Sequence, residues 1–596
     1  MKWLLKFKNE ASSNDNLKKA NKSSKKQSYK NSDFFSLIYF LLVFSLLIQL
    51  GLNLSINRKE NSELYIYSNS NEIVLKIRGT GSQYILYYNY SSCPDIIELN
   101  GHTISGDEID ANVCRKINIS PGSDDDINTV KLKWNNNLIT MHSMFENLDN
   151  LVEIDLSMFD SSSVISMAQT FRLCTSLTSI NFSGITTSLV ETMHMTFADC
   201  YSLKELDLSS FNTSKVTDMY FTFCKCTSLK TLNLANFNTS QVETMEAMFY
   251  QSNLLKSLDI SNFDTSKVKY MNSMFCDCQN LENLDVSHFS TSNVLSMSQM
   301  FRNLKNITYL NVSNFDTSKV EDMWSMFCNC ENLENLDIYH FSTSNGLSMG
   351  QMFMSCRKIK SLDFLNFDTS KVTDMNYMFT YCNNLEFLNL SSFKTSNVVN
   401  MEQMFRDCYA LTSLDISNFD CPKVKSIYAM FAYCVRLREL DMPKFLASDV
   451  ENMEYAFLYC QSLTSLNIPN FDTSKVKNMK GTFYYCYALT SLNVSSFKTE
   501  KVENMDFLFY HCERLTSLDL SNFHTPNLNY MSQMFDSLHS MTYLNVSNFN
   551  TEKVTSSMAH LFYECKKLLS LDISNFNTAQ VNNMDEMFYN CESLTY

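Results

Sequence analysis

Glycine and proline are scarce in this chain, at 10 and 6 of 596 residues, and tryptophan is scarcer still at 3. So little glycine leaves almost no material for phosphate-cradling loops or tight active-site turns, and the "GTGSQ" at 79–83 is no phosphate loop. The shortage of both residues also argues against several loop-rich enzyme domains. Histidine is thin as well: nine residues, scattered, with no H-E-x-x-H and no fixed partner. No nucleophile–base–orienter set can be assembled from them, so the expectation is a non-enzyme without cofactor, metal or catalytic residues. Positive charge is missing from most of the chain. Residues 1–33 carry nine Lys against Glu10, Asp15 and Asp33, a net of about +6, so the formal −15 leaves about −21 on the remainder. A body this acidic repels phosphate backbones, which argues against nucleic acid as a partner.

Charge of either sign is absent from residues 34–56, "FFSLIYFLLVFSLLIQLGLNLSI". As a helix these residues would reach about 35 Å, enough for a hydrocarbon core of about 30 Å with some tilt. The expectation is an uncleaved transmembrane signal anchor. The rival is a cleaved signal peptide; the long leading segment and the lack of a small-x-small site near Gly51 argue against it. The Lys excess at 1–33 then makes that tail cytoplasmic and everything after it extracellular or lumenal. Residues 57–140 alternate as strands do in "NEIVLKIRGTGSQYILYY" and "NTVKLKW". That pattern predicts a small β-rich segment capping the N-terminal end of the chain beyond residue 140, with Trp134 packed on the first coil there. Cys93 and Cys114 are candidates for a disulfide in this segment.

Leu, Phe, Met, Asn and Ser are abundant, and they recur. A Phe falls at Phe145, Phe171, Phe197 and every 26 residues to Phe535, then, after one extra residue in "VTSSMAHLF", at Phe562 and Phe588. That period over 141–596 makes about eighteen copies, the last incomplete, and means a solenoid. Within a copy, Val372, Met375, Met378, Phe379 and Cys382 are spaced three or four apart, which predicts one face of a short helix. The Thr-Ser before it reads as a cap, and "SKVE" (Ser318–Glu321) and "SQVE" (Ser240–Glu243) as capping boxes. Leu385, Leu388 and Leu390 come next as L-x-x-L-x-L, whose last step has the period of a strand, and Phe393 closes the turn. One copy has about eight apolar side chains worth about 1.5–3 kcal/mol each when buried, against backbone ordering at about 1–2 kcal/mol per residue. A lone copy cannot fold. Stacked copies bury identical ladders.

The strings L-x-x-L-D-[LIV]-S-x-F-x-T-S-x-V-x-x-M-x-x-M-F-x-x-C over 141–596 resemble the BspA-like leucine-rich repeats, the 26-residue bacterial surface protein repeat. That resemblance implies an α/β solenoid, a right-handed leucine-rich superhelix with a short strand and a short helix per repeat. It also implies display on a surface, in adhesion and host or matrix contact. Ile185 in place of the turn Phe and Ile427 in place of a Met keep an apolar residue.

Cys holds the ladder position in fourteen copies, one thiol per coil in a line, which suits a buried small hydrophobe and not converging metal ligands. The C-x-C pairs that add Cys224, Cys276 and Cys328 recur every 52 residues and read as duplication, with a labile disulfide as the rival. The residue between the last two strand apolars is always Asp or Asn: Asp207, Asp259, Asp285, Asp337, Asp363 and Asp415 are among the acidic ones. They point off the core as a candidate binding stripe. Stacked carboxylates would take Ca²⁺; a structural ladder would tolerate the observed Asn/Asp exchange. Asn89, Asn118, Asn212, Asn238 and Asn306 begin candidate N-glycosylation sequons. The expected function is a membrane-anchored surface protein that mediates adhesion or binds extracellular protein or glycan ligands, by avidity along the repeats. The alternative is a self-associating coat protein, and the last coil, with Phe588, Cys591 and Leu594 facing no successor, is a candidate self-association end.

Overall fold

The computed structural model describes residues 54–58, 64–68, 71–104, 114–120 and 127–595. The chain divides into Met1–Ser70 and Asn71–Tyr596. In the first unit, β1 (Leu54–Arg58) and β2 (Leu64–Ser68) form an antiparallel hairpin with Ile56 opposite Ile66.

That hairpin corrects the expected anchor. Leu54–Ile56, the last residues of the apolar stretch, lie in a strand. Among the described residues no helix is long and apolar enough to cross a membrane. The single-pass placement, with a cytoplasmic N-terminus and the repeats outside, is therefore overturned. The rest of 34–56 and the Lys-rich 1–33 lie outside the described residues.

The second unit opens with β3 (Glu72–Arg78), β4 (Gly81–Tyr84), β5 (Ile96–Leu99), β6 (His102–Thr103), β7 (Lys116–Ile119) and β8 (Ile127–Lys133). They are followed by β9 (Leu151–Asp155) and β10 (Ser179–Asn181). Strict alternation in "EIVLKIR" buries Ile73, Leu75 and Ile77 completely and turns Lys76 and Arg78 outward. The sheet order β10-β9-β3-β8-β5-β6 shows how the solenoid begins. β3 runs antiparallel to β9, with Leu75 opposite Ile154, and occupies the open edge of the first coil. Trp134 is buried behind it, edge-on to Phe159 at 6.5 Å between ring centroids.

From β9 onward every strand is parallel and one coil apart, for example Leu206 opposite Leu232 and Leu440 opposite Leu466. Coils are numbered from 1, centred on Phe145, to 18, centred on Phe588. These Phe rings form one unbroken stack, with centroid spacings such as 5.6 Å between Phe197 and Phe223 and 5.4 Å between Phe431 and Phe457. Val, Met, Cys and Leu ladders run beside it, nearly all fully buried. Each ring meets its own kind above and below, so one coil's shape fixes the next.

The expected short helix is absent from the described residues. Where it was placed, residues at φ near +55° recur two before and two after each central Phe: Tyr377 and Tyr381 around Phe379, Gln403 and Asp407 around Phe405. Alternate N–H groups, of Met375, Tyr377, Phe379 and Tyr381, donate to carbonyls of the next coil at 2.8–3.1 Å. Those of Thr380, Cys382 and Leu385 close three-residue-back turns within their own coil. A helix would send all of these N–H groups four residues back and leave none for the neighbour. A non-glycine residue at positive φ costs about 1–2 kcal/mol, offset at these positions in coils 1 to 17 by a lateral hydrogen bond to the next coil.

The capping boxes dissolve with the helix. Ser318 N–H donates to Asp316 Oδ1 at 3.0 Å, and Ser240 N–H to Asn238 Oδ1 at 3.0 Å, both turns set by Asp or Asn two residues earlier. The Thr does something else. Thr317, fully buried, donates through Oγ1 to Ser342 O and accepts from Ser342 N–H, both at 2.8 Å, and so clips coil 8 to coil 9. The same clip recurs at Thr265, Thr369 and Thr473.

Candidate binding surface

The strand face turns one apolar residue in and its two neighbours out. In β-strand Glu205–Asp207, Leu206 is buried while Glu205 and Asp207 are exposed. The acidic candidates therefore all lie on one outward column, yet their Oδ1 atoms are already engaged. Asp207, Asp259, Asp285, Asp337, Asp363 and Asp415 each accept from the backbone N–H two residues on, at 2.9–3.1 Å. The hydroxyls of Ser261, Ser287 and Ser417 add second bonds, and these hold the carboxyls of Asp259, Asp285 and Asp415 below the usual range. At four of the six steps where Asn follows Asp in the column its amide reaches back to the carboxylate, for example Asn389 to Asp363 at 2.8 Å and Asn467 to Asp441 at 2.7 Å. Among the described residues no group of three or more His, Cys, Asp or Glu could hold a metal ion. This geometry makes the column a turn-forming ladder first.

Cys93 and Cys114 are joined by a disulfide with Cα atoms 5.7 Å apart. The other eighteen cysteines carry free thiols, all buried except the half-buried Cys591. The ladder thiols are donors as well as packing atoms: Cys278 Sγ donates to Phe249 O at 3.1 Å and Cys382 Sγ to Phe353 O at 3.2 Å. In coil 5 Ser252 takes the place and its Oγ makes the same bond, to Phe223 O at 3.0 Å. Burial pushes the thiols of Cys278 and Cys382 up to about 12. The sequon residues Asn89, Asn118, Asn212, Asn238 and Asn306 are all exposed.

Eight residues beyond the Asp/Asn column, Lys267, Lys319, Lys371 and Lys423 recur every 52 residues. Each Nζ donates to the equivalent residue of the coil before it: Gln241, Asn293, Asn345 and Asn397, at 2.6–2.8 Å. Cation and neutral amide thus alternate coil by coil, and at a strand spacing of about 4.8 Å the cations stand about 10 Å apart.

Coils 12–15 break the pattern in a way the repeat period did not announce. Tyr433, Tyr459, Tyr485 and His511 stack at 5.1, 4.5 and 4.7 Å. Beside them runs a groove of about 500 Å³ lined by Arg438, Gln461, Ser462, Thr464, Tyr487, Ala488 and Arg514. Its signal in the sequence was aperiodic: "VRLREL" at 435–440 and "ERLT" at 513–516 put arginine where other coils have none.

One family model, described as "Mycoplasma protein of unknown function, DUF285", matches residues 124–232, 222–310, 279–363, 348–465, 437–543 and 514–596. No curated protein matches the sequence. Among solved structures, the chain is similar to one in the Toll–Spätzle complex of Drosophila at 14% identity, over 67% of this chain and 51% of that one, TM-score 0.23. It thus spans about half of that relative's length. A leucine-rich repeat protein of Leptospira interrogans aligns at 15% identity over 64% of this chain and 86% of its own, TM-score 0.19. The functional domain of InlJ from Listeria monocytogenes, described as including a cysteine ladder, aligns at 16% identity over 73% and 67%, TM-score 0.16. At such TM-scores the superpositions carry no argument.

Proposed function

The chain belongs to that family of repeat proteins, matched from 124 to 596, and on this premise we propose that it is a binding protein that engages protein or glycan ligands through many near-equivalent contacts, in adhesion. The observation that supports the reading is the outward column of the strand face. At every coil it offers the same small polar and acidic groups, about 4.8 Å apart, on a core wholly given to packing. Such a surface has no privileged centre, so affinity comes from the number of coils engaged at once. The test is capture of the full chain on surfaces carrying a matrix protein or glycan at graded density. Retention should rise steeply with density; retention independent of density, or none, refutes the reading.

A structural role is favoured by one observation: the outward strand position is Ser in Ser361, Ser465 and Ser517, a low-relief face on which another array could lie. Sedimentation of the full chain over a concentration series separates the two, since only the structural reading expects assembly without ligand.

A further inference from the structure

Seven arginines lie within the array, and four have their guanidinium engaged. Arg172 pairs with Glu146 at 2.6 Å, Arg357 with Glu331 at 3.6 Å and Arg406 with Asp407 at 3.0 Å, while Arg302 donates to Gln299 at 2.7 Å. Among the described residues the other three, Arg436, Arg438 and Arg514, form no ion pair with a carboxylate; all three are exposed, and Arg438 and Arg514 line one groove. Arg436, Ser462, Ala488 and Arg514 occupy the same position in four successive coils. Ser462 and Ala488 form the floor of the groove, with Arg438 of coil 12 and Arg514 of coil 15 at its two ends, three coils or about 14 Å of backbone apart. In a body carrying strong net negative charge, free cations at both ends of a depression mark it for an anion.

The wall supplies the second half of the chemistry. The Tyr487 ring is half-buried and braced by Tyr485 at 5.2 Å and His511 at 6.2 Å, which fixes a planar apolar face beside the floor. Gln461 and Thr464 also line the groove; the Thr464 hydroxyl donates to Arg438 O at 3.1 Å and so meets an incoming hydroxyl as an acceptor. The backbone here is already paired: Thr464 N–H donates to Arg438 O at 2.8 Å and Thr516 N–H to Thr490 O at 3.4 Å. An extended peptide adding itself as a strand would need those groups open. The nearby carboxylates do not fill the role either. Glu513 is shared between His511 at 3.1 Å and His539 at 3.6 Å, and Glu439 lies in a strand beside Ser465.

We propose that this groove binds a short carboxylated oligosaccharide, with a pyranose face on Tyr487, hydroxyls on Gln461, Ser462 and Thr464, and carboxylates on the arginines. The inference rests on the ligand-binding reading above and narrows it to one ligand chemistry at one place.

Calorimetric titration of the full chain tests it, with trigalacturonate and sialyllactose as the two carboxylated sugars. Maltotriose serves as the neutral control and tetraglutamate as the acidic peptide. Saturable binding of at least one carboxylated sugar, and none of maltotriose or tetraglutamate, is expected. The double substitution R438Q/R514Q, at two exposed positions, should weaken binding at least tenfold. Tyr487→Ser should weaken it severalfold where Tyr487→Phe does not, and Lys371→Gln, outside the groove, should leave it unchanged. No binding of either sugar, binding indifferent to R438Q/R514Q, or equal binding of tetraglutamate overturns the proposal. Density-dependent capture that persists in the R438Q/R514Q protein shows that the broader binding reading survives such a failure.

Discussion

Removing the Thr317 hydroxyl while keeping its shape isolates what the inter-coil clip contributes. Thr317→Val leaves Ser342 N–H and C=O without the partner that each holds at 2.8 Å. Two hydrogen bonds at about 1 kcal/mol net each set an upper figure of about 2 kcal/mol. The chain itself shows how part of this is recovered. Where Ala447 stands in the Thr position, Asp472 N–H donates instead to Leu446 O at 2.9 Å. If coil 9 relaxes in the same way, one bond returns and about 1 kcal/mol is lost. Thr317→Ser keeps both bonds and loses one methyl, about 0.8 kcal/mol at most. Global unfolding of a long repeat array is not two-state, so the loss should be read locally, by native-state hydrogen exchange at Phe341 and Gly346, whose own turn bonds stay intact. A loss of about 1–2 kcal/mol speeds exchange there about 5- to 30-fold. A Val variant that exchanges like the parent refutes the clip. A Ser variant as damaged as Val shows that the methyl, not the hydroxyl, is what matters.

Ser252→Cys should leave local stability within about 0.5 kcal/mol, and Ser252→Ala should lose about 1 kcal/mol, because only Ala removes the inter-coil bond and leaves Phe223 O just the longer one from Cys226 N–H at 3.4 Å; hydrogen exchange in coil 5 is the check. Maleimide at pH 8 should label Cys591 alone in the native chain and all eighteen free thiols after denaturation, counted by intact mass. The carboxyls of Asp259, Asp285 and Asp415 titrate lower folded than unfolded, so the stability they confer is present above about pH 4 and fades as pH falls through their folded values. These groups are mostly exposed and the effect per site is small, so Asp285→Asn should flatten the acid limb of a melting series slightly without lowering the midpoint at pH 7. EDTA should leave that midpoint unchanged; a fall restored by Ca²⁺ would return the carboxylates to a metal role.

The period, the ladders and the outward Asp/Asn column were legible because identical packing needs write identical residues at fixed intervals. The turns were not. Val372, Met375, Met378, Phe379 and Cys382 are spaced as a helix face would be, and linked tight turns also bring residues three apart to one side. The positive φ angles would have shown in a run of glycines. Instead the positions hold Tyr377, Gln403, Ala429 and Phe507, held there by lateral hydrogen bonds that no local pattern records. Only Gly481 would have given the signal; even there a Cβ would meet the Tyr455 ring at 2.5 Å, so packing also selects glycine. The arginine groove escaped for the opposite reason: a search for recurrence passes over what occurs once.

The alternation of Lys with a neutral amide along one edge has a hereditary consequence. Excising an amide coil or inserting a lysine coil would set lysine against lysine in adjacent coils, whereas exchange of coil pairs keeps every cation beside an acceptor. Length variants should therefore differ by even numbers of coils. The array carries one record of the odd step: Lys475 and Lys501 fall in neighbouring coils, and beyond them Asn527 and Lys553 resume the alternation in the opposite phase.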